Sequence, residues 1–94
     1  MKLLSIVKSP LPTKKWRANF LHGATAFHTD FGANGMQDYT QHKDPERARL
    51  YRLRHQKDLD TKNPTRAGYL SYFILWASPN FRANIQAYKN KFNM

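Results

Sequence analysis

Residues 2 to 8, Lys-Leu-Leu-Ser-Ile-Val-Lys, alternate loosely between apolar and polar and are stopped by Ser9-Pro10-Leu11-Pro12. Two prolines there remove backbone donors and force an extended or turning path, so the stretch reads as a short edge strand. From Lys14 the alternation becomes regular, with Trp16, Ala18 and Phe20 on one face of a strand and Lys15, Arg17 and Asn19 on the other. His22-Gly23 supplies a tight turn, because glycine tolerates positive φ, and Thr25, Phe27, Thr29 and Phe31 alternate on the return limb. The pattern predicts a hairpin, or a three-stranded meander if residues 2 to 8 join it, with strands over about 2 to 31.

Two glycines and an asparagine in Phe31-Gly-Ala-Asn-Gly-Met-Gln-Asp-Tyr-Thr40 mark a chain leaving a sheet, and a loop is expected over about 32 to 43. Asp44-Pro45-Glu46 is a helix start: Asp accepts bonds from free amides, Pro fits the first turn and Glu complements the helix dipole. Asn63-Pro64 and Ser78-Pro79 repeat the cap-then-proline pattern. Three helices are therefore predicted, over about 45 to 57, 65 to 77 and 80 to 92. On the third, Phe81, Ile85, Tyr88 and Phe92 form one stripe that should dock on a core. The second, Tyr69 to Trp76, is apolar nearly all round, as for a helix covered on several sides or partly used by a partner. The first is charged almost everywhere, with only Leu50 and Leu53 as a thin stripe. Strands first and helices after give an α+β architecture.

Composition narrows what such a domain can do. The 94 residues suit one domain, residues 1–94, with 40% hydrophobic and 14% aromatic residues as core material. Sixteen Lys and Arg against six Asp and Glu leave a formal net charge of +10, which attracts nucleic acid, anionic membrane or acidic protein. The absence of cysteine excludes disulfides, thiolate nucleophiles and cysteine metal sites. No apolar stretch is long enough for a signal-peptide core or a transmembrane segment, so a soluble intracellular protein is expected.

The main chemical signal is the basic run from Lys43 to Lys57, with Arg47, Arg49, Arg52 and Arg54 between. Its acids sit at the positive end of the helix dipole and its bases follow, which favours the helix as well as charging it. Lys43, Arg47, Arg49, Arg52, Arg54 and Lys57 are the candidate polyanion or partner-binding residues; the plainer alternative is a solvated helix face. Trp16 and Phe20, facing Phe27 or Phe31, could make a base-stacking platform, but the apolar spacing of Trp16, Phe20, Phe73, Trp76, Phe81 and Phe92 favours a core. His22, His28, His42 and His55 match no common metal spacing, and no metal or other cofactor is expected. Asp38, Tyr39 and His42 are the only conceivable catalytic group. Gly32-Ala-Asn-Gly35 lacks the ending of a P-loop and the spacing of a dinucleotide loop. The chain reads as a non-enzyme with no small-molecule substrate.

The run Phe31-Gly-Ala-Asn-Gly-x-x-Asp38-Tyr39-Thr40-x-His42-Lys43-Asp44-x-x-Arg47, then Arg54-His55, Asn63-Pro-x-x-Ala67-Gly68, Leu75-Trp76 and Pro79, resembles a family of small basic proteins encoded by large DNA viruses of algae and protists, of phycodnavirus or mimivirus type. The resemblance spans roughly residues 14 to 92 and departs at Met36, where relatives should carry an aromatic, and at His28-Thr29, which lengthen the return strand. It implies a viral setting and brings no activity or site with it. In that setting the expected role is a minor capsid protein, contacting major and other minor capsid proteins on the inner face of an icosahedral virion. The alternative is a sequence-independent nucleic-acid-binding protein that helps package the genome.

Overall fold

In the computed structural model, which describes residues Met1–Met94, the alternating segments form strands β1 (Lys2–Lys8), β2 (Lys14–His22) and β3 (Thr25–Ala33). They pair as an antiparallel meander in the order β1-β2-β3. The β2–β3 register is set by a two-residue turn whose first residue, Gly23, has φ +60°, and it places Phe20 opposite Phe27 with their rings stacked 5.1 Å apart. Ala18, Phe20 and Phe31 are fully buried on the inner face.

The loose alternation of β1 has a structural cause. The register against β2 shifts between Leu3, opposite Phe20, and Ser5, opposite Asn19, so Leu4 is an extra residue that bulges outward. The bulge lets Leu3 and Ile6, three positions apart, both face the core, which a regular strand would forbid.

The helical half is α1 (Tyr39–His42), α2 (Pro45–His55), a 3₁₀ segment (Gln56–Thr61), α3 (Ala67–Leu70) continuing into a π-type turn (Ser71–Leu75), and α4 (Phe81–Lys91). The mixed α+β class matches the expectation, while several boundaries move. Strand β3 runs on to Ala33, and the segment expected as loop contains α1, started by Asp38 and stopped where Lys43 turns left-handed at φ 58°. Helix α2 starts on Asp44 and Pro45 as expected. It gives way to the 3₁₀ segment at Gln56, which is held to α3 by the Tyr69 hydroxyl donating to the Leu59 carbonyl at 2.8 Å.

The next helix begins at Ala67 because Asn63 does not cap it. Its side chain accepts instead from the Thr65 amide and hydroxyl at 3.0 and 2.7 Å, an Asx turn that competes with helix initiation. Asn80 does cap α4, accepting from the Ala83 amide at 3.0 Å. Leu70, Ile74, Leu75 and Tyr88 close the core over the sheet, and the Tyr88 hydroxyl donates to the Pro64 carbonyl at 2.6 Å. Leu50 and Leu53 stay exposed, and the inward side of α2 is made by Ala48, Tyr51, Arg52 and His55.

A cation-lined cleft as the candidate functional site

The acidic side chains come first, because what they hold decides which bases are free. Asp30 receives the Arg17 guanidinium at 3.0 and 3.1 Å and the Ser9 hydroxyl at 2.7 Å, and the bonds from Arg17 hold its carboxyl below the usual range. Asp38 is buried, accepts from the Thr40 amide at 2.9 Å, and is joined by the Lys15 ammonium at 2.7 Å. Gln41 completes the capping box by accepting from the Asp38 amide at 3.0 Å, and also takes Lys15 at 2.7 Å. Asp44 caps α2, Glu46 pairs with Arg49 at 2.6 Å, and Asp58 faces His55 at 3.0 Å. Of the six acids only Asp60 is without such a role.

Only Lys15, Arg17 and Arg49 of the sixteen Lys and Arg are therefore ion-paired with a carboxylate. The net charge is delivered to the surface rather than spent internally. Among the six basic-run residues, the structure separates roles. Arg49 is bound to Glu46, whose hydrogen bonds raise its already high pKa further. The Arg52 guanidinium donates to the Trp76 carbonyl, satisfying an orphan acceptor where the second helical stretch ends. Lys43 caps α1 and Lys57 sits on the 3₁₀ segment, both exposed. Arg47 and Arg54, seven residues apart on one face of α2, line a common cleft.

That cleft, of about 370 Å³, lies between α2 and the β3–α1 connection. One wall carries Arg47, Leu50, Tyr51 and Arg54; the other is Gly32, Ala33 and Met36 to Asp38 with Lys15; Ser71, Leu75 and Trp76 complete the lining. Gly32 makes this geometry possible. Its φ is +81°, and a Cβ there would come within 2.9 Å of Leu75 Cδ1 and 3.3 Å of Lys15 Cβ, so the strand end can touch the core only without a side chain.

Aromatic side chains near the cleft are already engaged with one another. Tyr51 stacks on both Trp76 and His55, each ring 4.0 Å away and near parallel, so the two must lie on opposite faces and leave Tyr51 none free. His42 packs on Trp76 at 5.4 Å and accepts the Asp44 amide through Nδ1 at 2.9 Å; its protonated Nε2 is buried without a hydrogen-bond partner. Trp16 stacks on Phe81 and Phe20 is sealed against Phe27, so neither offers a platform. Asp38, Tyr39 and His42 do not converge on a pocket as a reactive group, since Asp38 is consumed by its cap and Lys15.

Sequence reasoning missed the Lys15–Asp38 pair and the Tyr51–Trp76 stack, both between residues more than twenty positions apart. Only Asp38 carried a readable signal, the Asp-x-x-Gln spacing of a capping box.

No curated protein and no solved structure shows significant similarity to the chain. A family model, described as a family of unknown function, matches residues 4–55, which take in almost all of the sheet, the wall of the cleft that faces α2 and α2 to its last residue. Because that match covers more than half of the chain, the protein belongs to the family of unknown function DUF5754.

Proposed function

We propose that the protein works by contact, without making or breaking bonds, and that its partner is an extended anionic surface, nucleic acid in the first instance. One observation carries this reading: the structure uses up its acids as caps and local pairs, while most of its sixteen bases face solvent without a carboxylate. Such a surface repels itself and gains free energy when phosphates replace its counterions. In the viral setting that the sequence resembles, a small protein of this kind sits where the shell meets the packaged genome.

The test is a salt titration of binding to a nucleic acid of random sequence. Affinity should fall steeply and log-linearly with salt and depend little on sequence. No binding at low salt would end this reading.

A second reading, a minor capsid protein bridging neighbouring capsid proteins on the inner face of the virion, is favoured by the outer edge of the sheet. There Leu4, Val7 and Leu11 are exposed apolar side chains on and after a strand with one unpaired side. Such an edge can add a strand from a protein partner, although the Leu4 bulge and the terminal lysines limit pairing with itself. Mass spectrometry of purified particles, before and after removal of the genome, separates the two: a capsid protein stays with the shell.

A further inference from the structure

We propose that the cleft beside α2 is one end of a trough that holds a single strand of nucleic acid, with phosphates against Lys8, Lys14, Arg47 and Arg54 and bases against an apolar ledge. The proposal rests on the nucleic-acid reading above and gives it a site and a substrate form.

A second depression, of about 730 Å³, lies between the β1–β2 turn and the connection that follows β3. It shares Lys15, Met36, Gln37 and Asp38 with the first, so the two adjoin at these residues. The second depression adds Lys8 and Lys14 to the Arg47 and Arg54 of the first, and none of the four has a carboxylate partner. The sole acid lining either depression is Asp38, already neutralised by Lys15 at 2.7 Å. A phosphate chain can therefore follow the whole trough without meeting an uncompensated negative charge.

The apolar lining decides between strand and duplex. Leu11, Met36 and Leu50 are 44%, 68% and 41% exposed, and they line the second depression, the junction and the first depression in turn. Cations interleaved with exposed apolar side chains suit a chain that presents phosphates and unpaired base faces together. A duplex hides its base faces, and is met by a protruding helix entering a groove about 12 Å wide rather than by a concavity.

Fluorescence anisotropy with an oligopyrimidine strand of about 15 nucleotides and a duplex of equal length tests this. The variants are Lys8→Glu with Lys14→Glu, Arg47→Glu with Arg54→Glu, and Leu11→Ser with Met36→Ser. The control is Lys62→Glu with Arg82→Glu, the same charge change at exposed positions that line neither depression. The single strand should bind more tightly than the duplex. Each trough charge pair should lower its affinity about tenfold beyond the control and flatten the salt slope by roughly 1.4. The serine pair should weaken strand binding and leave the slope unchanged. Tighter binding of the duplex, or equal losses in control and trough variants, would overturn the trough while leaving the general charge-driven reading in place. A wild-type protein that binds neither probe at low salt sinks both.

Discussion

The indole of Trp76 lies face to face with the phenol of Tyr51, centroids 4.0 Å apart and planes 4° from parallel. The next residue along α2, Arg52, donates to the carbonyl of the same Trp76. Two successive residues of a highly charged helix thus hold one residue by its ring and its backbone. That double hold replaces the aliphatic stripe α2 lacks, since Leu50 and Leu53 face solvent.

The stack should behave as a coupled pair. Tyr51→Ala and Trp76→Ala are each expected to destabilise by about 2 to 4 kcal/mol, the double variant falling short of their sum by about 1 kcal/mol. Tyr51→Phe, which keeps the ring, should stay within about 1 kcal/mol of wild type. Urea unfolding of the four variants decides it; strict additivity would mean that the rings pack independently.

The arginines of α2 should separate by what they hold. Arg52→Ala removes a charged donor from a carbonyl at a helix end, for an expected loss of about 2 kcal/mol. Arg49→Ala removes only an exposed, solvent-screened pair with Glu46 and should leave the melting temperature close to that of wild type. Thermal melts would show the contrast directly, and equal shifts would contradict it.

How far this site could be read from the residues alone follows from which forces are local. Caps and alternation are local, so β2, β3, the start of α2 and the aromatic stripe of α4 were all legible in the order of residues. The inward face of α2 was not, because it is built from Tyr51, Arg52 and His55 rather than from its leucines, and hydrophobic periodicity is blind to polar side chains that bury by pairing. The bulge at Leu4 was visible only as weak alternation, since register depends on the partner strand. Most of all, the division of the bases into engaged and free depends on pairs such as Lys15 with Asp38, which are neighbours only after folding.

The two left-handed glycines flanking Ala33-Asn34 should not be equivalent. Gly35, at φ +90°, has no atom within 4 Å of the place an added methyl would occupy, so Gly35→Ala carries backbone strain alone, about 1 kcal/mol. Gly32→Ala carries the same strain and also drives a methyl into Leu75 Cδ1 at 2.9 Å, for an expected loss of about 2 to 4 kcal/mol. Denaturant midpoints that fell equally for the two would mean that Leu75 yields without cost.

Alkaline pH should unfold the protein through its tyrosines. Burial pushes the Tyr51 hydroxyl up to about 12, helped by the charge of Asp58, and burial raises Tyr88 further. Unfolded tyrosine ionises near pH 10, so both groups favour the folded state fully below about pH 10, and that contribution is lost as pH rises through their folded values. Tyrosinate absorbance should therefore show two of the five tyrosines ionising late, together with loss of ellipticity. Five tyrosines titrating together near pH 10 with the fold intact would refute the assignment.

Asn84 is the substitution expected to be most harmful per atom removed. It lies on the apolar stripe of α4 between Phe81 and Ile85, yet it is buried, and its amide donates at 2.8 Å to the carbonyls of both Ile74 and Ser78. Those carbonyls lie where the π-type turn ends and the chain turns back toward α4, so no helical amide can reach them. Asn84→Ala leaves two acceptors unpaired, one buried and one part-buried, at a cost of about 3 kcal/mol, which for a chain of this length lowers Tm by roughly 10 °C or more. Asn84→Leu should do no better despite its added apolar volume, because it also supplies no donor and must fit where an amide sat. Asn84→Asp should be worse still, since it sets a carboxylate against the same two carbonyl oxygens. Melting curves ordered wild type, Ala, Asp would support this account, and a leucine variant as stable as wild type would show that packing, not pairing, holds the turn.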